Sequence, residues 1–159
     1  MTITIKFSDN IEHNYNSFEE IIKLDNYNDI IYLDCWGSSL FSLPELPNSL
    51  QVLWCNYNNL SSLPELPNSL ERLYCATNNL SSLPKLPNSL NYFSYNTNPI
   101  FIYIKKYFEG DREKYFEYEM NMKKKFTNKI EIWFLDCKYN PKYKYCRKRL
   151  MKEYNELYN

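Results

Sequence analysis

The stretch SLPELPNSL at residues 42–50 decides the fold, because it returns twice at a constant interval. It recurs unchanged at residues 62–70, and residues 82–90 repeat it with Lys85 in place of the glutamate. The period is therefore 20 residues. A repeat this short cannot bury its own apolar face, so neighbouring copies must stack, and the period predicts a solenoid.

A diverged fourth copy begins one period earlier, and aligning the four copies gives the pattern LxxLxCxxNxL. Its first apolar columns are Ile30, Leu50, Leu70 and Leu90, then Leu33, Leu53, Leu73 and Phe93, then Cys35, Cys55, Cys75 and Tyr95. The last two columns are two residues apart, the spacing that places side chains on one face of a strand. The copies are therefore predicted to form a parallel sheet with these columns buried. Asparagine follows each strand at 58, 78 and 98, and Ser38 takes its place in the first copy.

This pattern resembles the leucine-rich repeat family over residues 30–100. The resemblance implies a concave sheet whose asparagines bond backbone groups of neighbouring repeats. Each period also contains Leu-Pro-x-Leu-Pro, and because proline lacks a donor and restricts the residue before it, the convex side is predicted to be extended and polyproline-like. The 20-residue form is similar to repeats of bacterial effectors, and the Asn-, Tyr- and Lys-rich setting resembles leucine-rich repeat proteins of giant amoebal viruses.

The segments that flank the repeats have other patterns, so the predicted fold class is α/β with three segments: 1–29, 30–100 and 101–159. In the first, residues 2–7 alternate as a strand and a capping box at residues 17–20 predicts a helix over 18–24, which together form an N-terminal cap. In the last, apolar residues recur at helical spacing. Three or four helices are predicted there, to cap the last repeat or extend it, with breaks near Gly110, Thr127 and Asn140.

Composition excludes several classes of function. The 19 basic and 19 acidic residues cancel, which argues against a strongly basic nucleic-acid-binding protein. Two glycines are too few for a glycine-rich phosphate-binding loop, and a single histidine, His13, excludes zinc sites with more than one histidine ligand. The start lacks the features of a secretory signal and no stretch is apolar enough to span a membrane, so a cytoplasmic protein is expected, in the host cytoplasm if it is viral.

The cysteines have two interpretations. Cys35, Cys55 and Cys75 share one column, so they form either a thiolate metal site or part of the apolar core, and the spacing favours the core. The bacterial effectors that the repeats resemble often carry a ubiquitin-ligase domain with a cysteine nucleophile. The 59 residues after residue 100 are too few for that domain, so Cys137 and Cys146 are expected to pack, and no enzyme activity and no cofactor are predicted.

The strand positions between the buried columns are expected to face the concave side. Six of them are large aromatics, which on a solvated surface indicate a binding patch, unless the C-terminal segment covers them or they reflect a bias toward tyrosine. The predicted function is therefore that of a protein–protein interaction module, as a host-directed effector or adaptor. The predicted binding residues are Tyr32, Trp36, Val52, Trp54, Tyr57, Arg72, Tyr74 and Tyr92.

An alternative function follows from the distribution of charge. Residues 1–99 hold 4 basic and 10 acidic residues, net −6, and residues 100–159 hold 15 and 9, net +6. Basic clusters at residues 123–125 and 147–149 suit an adaptor whose C-terminal helices bind nucleic acid or an acidic protein. The sequence indicates neither the identity of a partner nor the oligomeric state.

Overall fold

The computed structural model describes residues 2–139, except for the side chains of residue 126 and residues 128–139. The chain divides into two compact units, of which the first ends at Gly110 and the second begins at Asp111. The first unit contains every strand of the described chain together with its short helices. The second contains one long helix over the described residues.

The strands are short and their spacing follows the sequence repeat. They are β1 (Ile3–Lys6), β2 (Glu12–Tyr15), β3 (Tyr32–Asp34), β4 (Val52–Trp54), β5 (Arg72–Tyr74) and β6 (Tyr92–Ser94). The helices are α1 (Phe18–Ile21), α2 (Pro99–Tyr107) and α3 (Arg112–Tyr139), with a 3-10 turn at Tyr27–Asp29. The fold class is α/β, as predicted.

One open six-stranded sheet orders these strands β2-β1-β3-β4-β5-β6. Strands β3 to β6 are parallel, and each residue pairs with the one 20 positions later, as Leu33 does with Leu53 and Leu53 with Leu73. This register buries the second-column leucines completely. The proline-rich stretches between the strands contain no helix. The predicted parallel pairing of the repeat strands is therefore confirmed.

Buried asparagines join successive repeats. The Asn78 amide donates to the carbonyl oxygens of Cys55, at 2.9 Å, and Cys75, at 3.2 Å, while its Oδ1 accepts the Leu60 N–H at 3.0 Å. Asn58 and Asn98 make the same set of bonds one repeat earlier and later. Each asparagine thus satisfies backbone groups that the turn after the strand would leave unpaired.

The N-terminal cap differs from the predicted strand and helix. Strand β1 is present, but it pairs antiparallel with both β2 and β3, so the sheet is mixed rather than wholly parallel. Helix α1 ends at Ile21 instead of residue 24. The Ser17 side chain makes no capping hydrogen bond, although the Asn16 N–H donates to Glu20 Oε2 at 3.4 Å. Neither bond of the predicted capping box therefore forms, since Glu20 accepts from Asn16, the residue before the N-cap Ser17, and not from Ser17 itself.

The repeats stop where proline replaces a hydrogen-bond donor. The N–H groups of Asn59 and Asn79 each donate to the preceding repeat, but Pro99 has none, so the Ile100 N–H donates to Leu80 O instead. Pro99 also suits the first turn of a helix, where an N–H has no partner, and α2 begins there. The chain therefore passes from the last repeat into helix α2 at Pro99.

The C-terminal helix corrects one prediction. The break near Gly110 is present, but α3 runs through Thr127 without interruption. The Thr127 hydroxyl donates to Lys123 O at 3.0 Å, a bond within the helix that accommodates threonine in a helix interior. Asp111 begins α3 by accepting the N–H groups of Glu113 and Lys114. Asn140, Cys146 and the cluster at 147–149 lie outside the described residues. None of the described helices is long and apolar enough to cross a membrane.

Candidate functional site

The alternation of each parallel strand decides which side chains face outward. In β4, Leu53 points into the core and is fully buried, while Val52 and Trp54 lie on the opposite face and are half-buried. The 20-residue register extends this arrangement across the sheet. One outward row is Tyr32, Val52, Arg72 and Tyr92, and the next is Asp34, Trp54, Tyr74 and Ser94. We call this surface the outward face.

Three rings contact one another in series on the outward face, and we call them the aromatic ladder: Trp54, Tyr74 and Tyr92. The Trp54 and Tyr74 rings are nearly parallel, with centroids 3.9 Å apart and planes at 18°. The Tyr74 and Tyr92 centroids are 4.8 Å apart. The Trp54 and Tyr74 rings therefore cover part of each other's faces, while the Tyr92 ring is tilted by 34° against Tyr74. Stacking of this kind stabilises each pair by about 1 kcal/mol and holds the rings in place.

A second aromatic pair lies just beyond the strands. Trp36 and Tyr57 meet edge to face, with centroids 5.6 Å apart, and are 57% and 58% exposed. Their backbones are held by hydrogen bonds: the Trp36 N–H donates to Asp34 Oδ1 at 2.9 Å, and the Tyr57 N–H donates to Ala76 O at 3.1 Å. These two large side chains are therefore exposed, while the backbone N–H group of each is hydrogen-bonded.

Charged groups border the aromatic side chains at the β1 side of the outward face. Lys6 Nζ lies 2.9 Å from Glu12 Oε1 and 5.0 Å from the centre of the Tyr32 ring. The Tyr32 hydroxyl donates to Asp34 Oδ2 at 3.5 Å. Burial, and then the Asp34 carboxylate, raise the pKa of Tyr32, so the phenol stays protonated at neutral pH. Arg72 is exposed between Val52 and Tyr92.

The structure places all eight predicted binding residues on or beside the outward face. It also adds Lys6 and Glu12, which the sequence analysis missed because the pairing of β1 with β3 was not predicted. A signal was present: Ile3 and Ile5 alternate as core residues, so Thr4 and Lys6 had to face the other way. The outward face thus begins at β1.

The cysteine column belongs to the core. Cys35, Cys55 and Cys75 are free and buried. Desolvation raises the pKa of the Cys35 and Cys75 thiols to about 12, and that of Cys55 well above its ordinary value. The part of the chain that the structure describes holds no cluster of three or more His, Cys, Asp or Glu residues suited to a metal ion. Buried protonated thiols are poor nucleophiles and poor ligands, so this column packs.

A cleft outside this face holds the histidine. His13 lines an open cleft together with Asp9 and Asp29. Its ring packs edge to face on Phe7, with centroids 5.4 Å apart. This contact gives the imidazole a packing role at the edge of the sheet.

Comparison of the chain with protein-family models, with curated proteins and with solved structures gives no match. The case for a function therefore rests on the geometry of the outward face and on the charges around it.

Proposed function

We propose that this chain is a leucine-rich-repeat solenoid that binds a partner protein through its outward face. The sequence pattern, the 20-residue strand register and the buried asparagines support the solenoid. The proposed partner is a cytoplasmic protein, of the host if the chain is viral, and the chain acts as an effector or adaptor. The proposal assigns the chain no reaction and no cofactor.

The observation that carries the proposal is the aromatic ladder. Tryptophan, tyrosine and arginine are enriched among the residues that dominate binding energy at protein interfaces. Here they share one face, and the contacts between the rings of the ladder already restrict their rotamers, so little side-chain entropy is lost when a partner covers them. The flanking Trp36 and Tyr57 widen the patch, because both are more than half exposed. A rigid aromatic patch of this kind suits a protein surface.

Removing two rings of the ladder tests the proposal. Trp54→Ala with Tyr74→Ala should abolish capture of the main partner from the native cell, because it removes the stacked pair. The control is Phe41→Ala with Tyr107→Ala, which removes two exposed rings, 75% and 60% accessible, outside the outward face. Circular dichroism and thermal unfolding check that both variants fold. Unchanged capture by the folded ladder variant refutes the site.

A second candidate function rests on α3. The side chains of Lys123, Lys124 and Lys125 are all exposed. Three adjacent cations on a helix suit a nucleic acid or an acidic protein, and binding would weaken steeply with salt. Replacing the three lysines with glutamine should abolish that binding and leave capture through the outward face intact. An affinity that does not depend on salt would remove this candidate.

A further inference from the structure

The outward face already contains one cation held between a carboxylate and an aromatic ring. Lys6 Nζ lies 2.9 Å from Glu12 Oε1 and 5.0 Å from the Tyr32 ring centre, and the Lys6 side chain is 23% exposed. The ammonium thus gains an ion pair and a cation–π interaction at once. This trio is an internal example of how the face accommodates a positive charge.

Next to this trio, Asp34 and Trp54 again place a carboxylate beside an aromatic ring. Asp34 on β3 is the register partner of Trp54 on β4, so the two side chains stand about 5 Å apart on one face. Tyr74 covers the Trp54 ring on the β5 side, so the other face of the indole is turned toward Asp34. Within the described residues, no Lys or Arg forms an ion pair with Asp34. The cation that would complete this trio is missing from that part of the chain.

The electrostatics of this pair favour a cation over any other occupant. The face of an aromatic ring carries negative charge, so a carboxylate beside it is repelled. Asp34 accepts one bond at each oxygen, from the Trp36 N–H and from the Tyr32 hydroxyl, and a carboxylate has room for about four. A guanidinium or ammonium group could therefore bond the remaining positions and lie against the indole. The net charge of −6 over residues 1–99 also attracts a positively charged ligand.

We propose that Asp34 and Trp54 form a subsite for a lysine or arginine side chain of the partner protein. This inference rests on the proposed function and adds the chemistry of the partner: a basic segment lies across β3 and β4, with one cation at Asp34. Trp36 and Tyr57 border the subsite and pack on the neighbouring residues of that segment. Arginine fits best, because its planar group can stack on the indole while it bonds the carboxylate.

Asp34→Asn separates this role from a structural one. Asparagine keeps the oxygen that accepts the Trp36 N–H, so the turn after β3 is preserved while the charge is lost. Glu65→Gln is the matched control, since it removes one negative charge from an exposed position in a proline-rich connection. If only the overall field of the chain attracts cations, the two substitutions act equally. If the subsite exists, only Asp34→Asn has a large effect.

The test uses the full chain and two fluorescent nine-residue peptides of serine and glycine, one with three arginines and one with three citrullines, which are neutral and nearly the same shape. Fluorescence anisotropy at low salt should show binding of the arginine peptide, roughly tenfold weaker binding of the citrulline peptide, and roughly tenfold weaker binding of arginine by Asp34→Asn. Glu65→Gln should change the affinity by less than about twofold.

Three results overturn the subsite: no binding of the arginine peptide, equal binding of both peptides, or equal losses for Asp34→Asn and Glu65→Gln. None of them contradicts the proposed function, which the capture experiment with the ladder variant decides separately. Sedimentation velocity of the free chain identifies one source of the cation. If a dimer is present and Asp34→Asn dissociates it while Glu65→Gln does not, the subsite is supported and the basic segment belongs to a second copy.

Discussion

The Asn78→Ala substitution probes the bonds that join three successive repeats. The Leu60 N–H would lose Asn78 Oδ1, its acceptor in the described chain, and a buried unpaired donor costs roughly 1–3 kcal/mol. The carbonyls of Cys55 and Cys75 would each lose one donor but keep another, from Asn58 at 3.1 Å and Asn98 at 2.9 Å. Each such loss costs roughly 0.5–1 kcal/mol, so the free energy of unfolding should fall by about 3 kcal/mol in total.

Urea denaturation followed by circular dichroism measures this loss. The matched control is Asn79→Ala, because Asn79 is the exposed neighbour and only its backbone N–H is bonded to the preceding repeat, so its substitution should change stability by less than about 0.5 kcal/mol. Asn78→Asp sharpens the test. It keeps the acceptor for Leu60 but turns a carboxylate toward carbonyl oxygens, so at neutral pH it should destabilise more than alanine does. Equal stability of the Asn78→Ala and Asn79→Ala variants would refute the reasoning.

Two further predictions concern backbone strain and the buried thiols. Thr77 has φ of 55°, in the left-handed region that β-branched residues avoid, so Thr77→Asn should raise stability by roughly 0.5–1 kcal/mol in the same denaturation assay; a loss would contradict this. Because burial raises the pKa of Cys35 and Cys75 to about 12, the folded chain keeps these protons above about pH 8.5, where unfolded thiols ionise. Stability should therefore fall with rising pH in this range, by about 1.4 kcal/mol per unit for each thiol, and Cys75→Ala should make the slope shallower; an unchanged slope would show that the thiol is exposed.

The repeats were predictable because one spacing determines several features at once. A 20-residue period places Leu53 beside Leu33 and Leu73, and the alternation of a strand then turns Trp54 and Tyr74 to the other face. The packing of the rings was not predictable, because the plane of each ring depends on its rotamer, and that rotamer depends on the side chains of the adjacent strands. The sequence therefore identifies the three residues of the aromatic ladder, and the structure adds the contacts between their rings.

The ends of the sheet were harder to predict, for a different physical reason. Strand β2 reads EHNY and lacks an apolar period, so nothing in its composition distinguishes it from a loop. The sequence does contain a turn signal just before the strand. In the structure a turn forms there: Asn10 has φ of 64° and its N–H donates to Phe7 O. Asp9-Asn10 is turn chemistry of the kind that joins two strands. In α3 the opposite occurred. Thr127 predicted a break, but the helix continues through it, and the Thr127 hydroxyl donates to Lys123 O.

Site-specific photo-cross-linking in the native cell tests the central claim, that the outward face binds a partner protein. Val52 is the position to replace with benzoylphenylalanine, because it is half-buried between Tyr32 and Arg72 and makes no polar contact that the substitution would remove. Glu65, in a proline-rich connection, is the control position. The account predicts that position 52 cross-links one protein reproducibly and that position 65 does not. Cross-linking of the same protein from position 65 and none from position 52 would contradict it.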